Sequence, residues 1–206
     1  VVVGGFFGDE GKGKVISYLS LVDKPDICVR TGAINAGHTV NLGGHTWKVR
    51  IIPACFPNEG TRLMIAPGAL FSINVLMKEV EETSSRGRVW VDYSSGIIED
   101  KHVEAERRDE YLMKTIGSTG QGVGAAMVDR VLRRLKLARD FGELKDMLID
   151  VSREVNESLE EGKLVIVEGT QGTFLSLYHG TYPYVTSRDT TASGVLSEVG
   201  VSPRSV

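Results

Sequence analysis

The residues Gly4–Lys14, GGFFGDEGKGK, combine glycines, two acidic side chains and two lysines within one short loop. They follow the β-branched run Val1–Val3 and precede the apolar positions Val15, Ile16, Leu19 and Val22 at helical spacing, so the loop joins a strand to a helix. Glycines in that setting let backbone N–H groups close on an anion, and the helix N-terminus adds its positive dipole end. The chemistry expected of Gly8, Asp9, Glu10, Gly11, Lys12, Gly13 and Lys14 is therefore phosphate binding. The loop departs from the standard P-loop: Gly5 and Gly11 enclose five residues, and Gly13 stands where a metal-binding hydroxyl should be. A carboxylate inside a phosphate loop repels the ligand unless it holds Mg²⁺ or takes a proton, and Asp9 is the candidate for either role. The plainer alternative has Asp9 and Glu10 favouring a helix start, with Lys12 and Lys14 solvated beyond them. The density of glycine and charge between strand and helix weighs against it.

Three further loops carry possible chemistry. In TGAINAGHTV, Thr31–Val40, Asn35 offers an amide for a base edge, the Gly37 carbonyl can ligate a metal, and His38 can donate to a developing oxyanion. A lone histidine is more often structural; its neighbours raise the expectation here. In IGSTGQGVG, Ile116–Gly124, Ser118, Thr119 and backbone amides suit a monophosphate, with Arg130, Arg133 and Arg134 on the helix beyond. A flexible interhelical loop is the equal alternative. The stretch VEGTQGTFLSLYHGTYPYVTSRDTTASG, Val167–Gly194, is long for a connection and dense in hydroxyls, which suits a ligand loop. Gln171 and Thr186 can bond a nucleotide, Tyr178, Tyr182 and Tyr184 are expected to pack and stiffen the loop, and His179 is expected to be structural.

The elements that must position these loops alternate. Strands are expected at Ile27–Val29, Arg62–Ala66, Val89–Tyr93 and Leu164–Val167, with a hairpin turning at Gly43-Gly44. Helices are expected from Lys14, from an N-cap at Ser72 through Glu82, over Glu99–Lys114 and Ala125–Arg139, and from about Gly142 to Gly162. This order implies an α/β fold, a mostly parallel central sheet with flanking helices, whose ligands sit at the carboxyl ends of the strands. Residues 1–206 are expected to form a single catalytic domain.

Composition bounds the partners. The chain is 41% hydrophobic and 25% charged with a net charge of −3, a balance that supports a core and offers no basic excess to a nucleic acid or an anionic membrane. No apolar run is long enough to span a bilayer. Cys28 and Cys55 stand in no pairing or zinc-ligand spacing, so neither a disulfide nor a metal site is expected of them, and a reducing cytoplasm fits.

Together the loops resemble the adenylosuccinate synthetase family: its Gly-Asp-Glu-Gly-Lys-Gly-Lys, Asn-Ala-Gly-His-Thr, Ile-Gly-x-Thr-Gly and Glu-Gly-x-Gln-Gly-Thr to His-Gly-Thr-Tyr-Pro-x-Val-Thr-Ser motifs occur here in order. The resemblance implies a P-loop-like NTP-binding variant fold and a ligase that joins IMP to L-aspartate with GTP and Mg²⁺. It implies that Asp9 is the base for N1 of IMP and a Mg²⁺ ligand, and that Gly37 gives the metal its carbonyl. His38 would be the acid, with Thr39 beside it. Asn35, Ala36, Thr119, Gln171 and Thr186 would hold IMP, and Arg133 would reach the IMP of the neighbouring subunit in a homodimer. Phe7, Gln121 and Ala125 depart from the family pattern, which has tryptophan at the first position and often arginine and proline at the others. The family's later segments, which read guanine and seat aspartate, are expected to be lacking. A non-catalytic nucleotide-binding fragment and a regulatory GTP-binding module are the alternatives.

Overall fold

A computed structural model describes residues 1–206. In chain order the elements are α1 (Lys12–Val22), β1 (Ile27–Arg30), β2 (His38–Leu42), β3 (His45–Val49), β4 (Arg62–Ile65), β5 (Leu70–Phe71), α2 (Ile73–Glu82), β6 (Val89–Asp92) and β7 (Gly96–Ile97). There follow α3 (Asp100–Arg108), α4 (Val123–Val131), β8 (Leu148–Ile149), α5 (Val151–Glu160), β9 (Val165–Glu168) and α6 (Ala192–Val199). The central sheet has the order β8-β6-β4-β1-β9 and every pairing in it is parallel. Such strands are covered on both faces and read as continuous apolar runs. β1 is buried along its whole length. Its alternate residues serve two cores: Cys28 joins Leu63, Ile65, Val91 and Ile166 on one face, while Ile27 and Val29 join Met64, Val167, Val155 of α5 and Leu196 of α6 on the other.

Four segments differ from the sequence expectation, each for a local reason. Val1–Val3 forms no full ladder; Val2 alone bridges to the outer edge of β9, donating to Val167 O at 2.8 Å and accepting from Gly169 N–H at 2.9 Å. The charged helix expected over Glu99–Lys114 breaks at Asp109, whose backbone turns extended, and resumes as a π-helical turn over Tyr111–Ile116. The Ala125–Arg139 helix stops at Val131, and Arg133 takes a left-handed conformation, φ 60°. The helix expected from Gly142 is a 3₁₀ turn and the edge strand β8 before α5 begins, and Asp150 marks that start by accepting the Arg153 N–H at 2.9 Å.

The cysteine expectation is also corrected. Cys28 of β1 and Cys55, both fully buried, form a disulfide with their Cα atoms 6.2 Å apart. Spacing in sequence did not reveal it because the pair is 27 positions apart and joins β1 to the turn between β3 and β4. The hairpin β2–β3 does turn at Gly43-Gly44, with φ of 57° and 80°.

Gly32, just beyond β1, has φ 110°, and a Cβ there would overlap the Thr170 side chain beyond β9. Gly32→Ala should therefore lower the stability to urea by about 2–4 kcal/mol, combining backbone strain with overpacking. An unchanged urea midpoint would contradict this packing.

Candidate active site

β1 and β9 lie side by side in parallel, and the loops that leave their carboxyl ends face the Gly4–Lys14 loop. α1 begins at Lys12 with Gly11 at its cap in the left-handed conformation, φ 77°. Asp9 is also left-handed, φ 54°, a strained state for a non-glycine residue and a frequent mark of a functional turn. The Glu10 carboxylate accepts from the Gly5 N–H at 3.0 Å and the Gly8 N–H at 3.3 Å, so it ties the loop to itself. Lys12 is 7% exposed, and its ammonium donates to the Gln171 carbonyl. Burial holds the Lys12 ammonium below the usual lysine range, with Arg30 adding to the effect against Glu10 and Glu168. Gly13 explains itself: a Cβ there would lie 2.8 Å from Thr39 O and 2.9 Å from His38 Cβ, so the hydroxyl of a standard P-loop has no room. The phosphate loop and the histidine loop are in direct contact at that point.

Two adjoining clefts result. One, of about 470 Å³, is lined by the loop Gly8–Lys14 together with Asn35, Ala36, Gly37, His38, Thr39 and Gln171. The other, of about 430 Å³, is lined among others by Ser118, Thr119, Tyr184 and Thr186. Asn35 and Gln171 border both, and the Gln171 amide donates to Asn35 Oδ1 at 3.2 Å. The structure thus gathers the sequence-predicted site residues except the three arginines: Arg133 and Arg134 are exposed and line neither cleft, and Arg130 donates to Pro67 O and Ser94 O instead. The tyrosines do not stiffen the long loop as expected: Tyr178, Tyr182 and Tyr184 are 75%, 76% and 56% exposed. Polar contacts hold that loop instead, with Ser176 donating to Asp189 at 2.8 Å, Thr190 to Gly172 O at 2.7 Å and Thr173 to Gly4 O at 3.0 Å.

Behind the first cleft lies a set of contacts that the loop motifs did not reveal. The parallel register sets Arg30 beside Glu168, and Arg30 Nη1 meets Glu168 Oε1 at 2.7 Å, with the carboxylate fully buried. His38 Nδ1 reaches the same oxygen at 2.5 Å. Burial alone would push Glu168 up, yet Arg30, His38 and the Ala54 amide together hold it below the usual carboxylate range. Burial, reinforced by Arg30, holds the His38 imidazole below the ordinary histidine range despite Glu168. The available sequence signal was a charged residue closing each of two apolar strands, ICVR and VIVE. A charge in such a place is buried and needs a partner.

A parallel sheet, a glycine loop closing on a helix N-terminus and a buried histidine beside that loop define a P-loop-like α/β fold. The family model described as adenylosuccinate synthetase matches residues 1–141 and 135–206, and the chain belongs to that family. It is 55% identical to the adenylosuccinate synthetase of Methanocaldococcus jannaschii and 52% identical to that of Archaeoglobus fulgidus, with all of this chain and 61% of each relative covered. Among solved structures, the fully ligated adenylosuccinate synthetase of Plasmodium falciparum superposes with a TM-score of 0.90 at 26% identity, covering 99% of this chain and 58% of that one. A cyanophage S-2L succinoaminodeoxyadenylate synthetase bound to dGMP and dATP superposes with a TM-score of 0.83 at 27% identity, covering 98% of this chain and 59% of that one. The chain spans about three-fifths of the length of the relatives it matches.

If Glu10 folds the loop, Glu10→Ala should speed hydrogen exchange at the Gly5 and Gly8 amides by about tenfold or more, the loss of one charge-assisted bond each. Equal exchange in the two proteins would mean the carboxylate does not order the loop.

Proposed function

We propose that this chain carries the IMP- and phosphate-binding part of a ligase that joins IMP to L-aspartate, with GTP as phosphoryl donor, to give adenylosuccinate. One observation carries the reading: the phosphate loop and the histidine loop line one cleft that opens, past Asn35 and Gln171, into a second cleft lined by Thr119 and Thr186. A triphosphate and a purine monophosphate can then meet at Asp9 and His38. IMP binds through Asn35, Ala36, Thr119, Gln171 and Thr186, and the GTP phosphates through Gly8, Glu10–Lys14 and Thr39.

Asp9 takes the N1 proton of IMP, which places negative charge on O6. O6 attacks the γ-phosphorus of GTP, the bond to the β,γ-bridging oxygen breaks, and GDP leaves; His38 donates to the oxygen on which charge develops. The amine of aspartate then adds at C6, inorganic phosphate departs, and the amine gives up its proton. For Mg²⁺ the Asp9 carboxylate and Gly37 carbonyl are hard oxygen donors bordering the same cleft, and no cluster of three acidic, His or Cys side chains competes for the ion. That small protein donor set suits a cation that takes its other ligands from phosphates and water, where it would neutralise phosphate charge.

Arg133, outside both clefts and flanked by the exposed apolar residues Val131 and Leu132, is read as serving the IMP phosphate of a second subunit in a homodimer. Mixing full-length Asp9→Asn and Arg133→Leu proteins, each inactive alone, should restore activity, because the mixed dimer has one site with both residues intact. Two inactive proteins that stay inactive after subunit exchange would remove the shared-site reading.

The protein at its full natural length, given IMP, GTP, L-aspartate and Mg²⁺, should release adenylosuccinate, GDP and phosphate, and Asp9→Asn should lower kcat by about 10²–10⁴-fold. Absence of product, GTP hydrolysis that needs no IMP, or undiminished turnover in Asp9→Asn would each refute the assignment.

A further inference from the structure

We propose that Glu168 is a positioning residue for His38: its carboxylate fixes the imidazole as the Nδ1–H tautomer and leaves Nε2 as the atom that serves the reaction. The inference rests on the ligase reading for its kinetic consequence and on geometry for its structural one. His38 Nδ1 lies 2.5 Å from Glu168 Oε1 and 3.2 Å from Arg30 Nη1. A guanidinium only donates and an ionised carboxylate only accepts, so the two neighbours ask opposite things of Nδ1. Were Nδ1 bare, its lone pair would face the carboxylate oxygen at the shorter distance; with the proton on Nδ1, that contact is a charge-assisted hydrogen bond. The carboxylate wins on both distance and charge.

The carboxylate itself has no freedom to turn away. Oε1 receives Arg30 Nη1 at 2.7 Å, and Oε2 receives the Ala54 N–H at 2.7 Å, with Cys28 Sγ at 4.0 Å behind it. Arg30 in turn is anchored by Nη2 on Ala36 O at 2.8 Å. Across the ring, Nε2 is buried without a hydrogen-bond partner, and His38 borders the cleft that holds Asp9 and Lys12. An unpartnered buried ring nitrogen is costly unless a ligand completes it. Nε2 takes up a proton from solvent when the phosphates enter the cleft, so the ring that donates to the phosphoryl oxygen is an imidazolium, with Glu168 the counter-charge already in place.

The test uses the full-length protein labelled with ¹⁵N in its histidine rings, observed at one fixed neutral pH, alongside steady-state kinetics with IMP varied. The unsubstituted protein should show a protonated Nδ1 on His38. In Glu168→Ala, Arg30 is left as the sole polar neighbour of Nδ1, so the proton should move to Nε2. The neutral ring still has a donor at Nε2, but the carboxylate that balances the imidazolium is gone, so kcat should fall by about 10²–10⁴-fold, while the KM for IMP changes by no more than about threefold. Glu168→Gln, which keeps an acceptor at the same place, should restore the Nδ1–H tautomer and part of the lost kcat. A bare Nδ1 in the unsubstituted protein overturns the proposal, and that spectrum decides the matter even if Glu168→Ala fails to fold. The same tautomer in Glu168→Ala, or a loss confined to KM, also overturns it. If the unsubstituted protein makes no adenylosuccinate, the ligase reading fails while the ring signals still decide the tautomer.

Discussion

The arrangement of the site depends on one buried ion pair, Arg30 with Glu168, held across adjacent parallel strands. Removing two charges from water costs several kcal/mol per ion and is repaid only where the geometry is good and the remaining donors and acceptors are satisfied. Here each partner has a second anchor, Ala36 O for the guanidinium and the Ala54 amide for the carboxylate. Those anchors lie on the two segments flanking the hairpin β2–β3, so the pair ties both segments to the carboxyl ends of β1 and β9. His38, at the first rung of the hairpin, inherits its position from them.

The phosphate loop shows the same economy of parts. Its glycines are not interchangeable sources of flexibility: Gly13 is small because α1 touches the histidine strand there. Glu10, which a charge count would place against an incoming phosphate, spends its carboxylate on the Gly5 and Gly8 amides. Lys12 reaches across to the Gln171 carbonyl, so the first and last of the four loops are tied before any ligand arrives.

Much of this was legible in the residues. The parallel sheet followed from apolar runs such as Ile27–Val29 and Leu164–Val167, and the cleft-lining loops from glycine and polar clusters placed after strands. What escaped was the outcome of tertiary competition. Asp109 and Asp150 end or begin helices that apolar periodicity alone would run through. The tyrosines of Tyr178–Tyr184 looked like packing groups by composition, yet the loop's hydroxyls and Asp189 hold it together. Glu168 opens one of the quoted motifs, but its pairing, like that of Cys28 with Cys55, was not legible: the partners are distant in sequence, and spacing carries no information about which distant segments fold together.

The bond between Cys28 and Cys55, separated by 27 positions, closes a covalent ring that contains all of Asn35–Thr39 and the whole hairpin. A ring of that size removes about 3.5 kcal/mol of chain entropy from the unfolded ensemble by the loop-closure relation. The segment that carries His38 is thus tethered at both ends even in a denatured chain, and its search for the native shape is confined to a small volume from the outset.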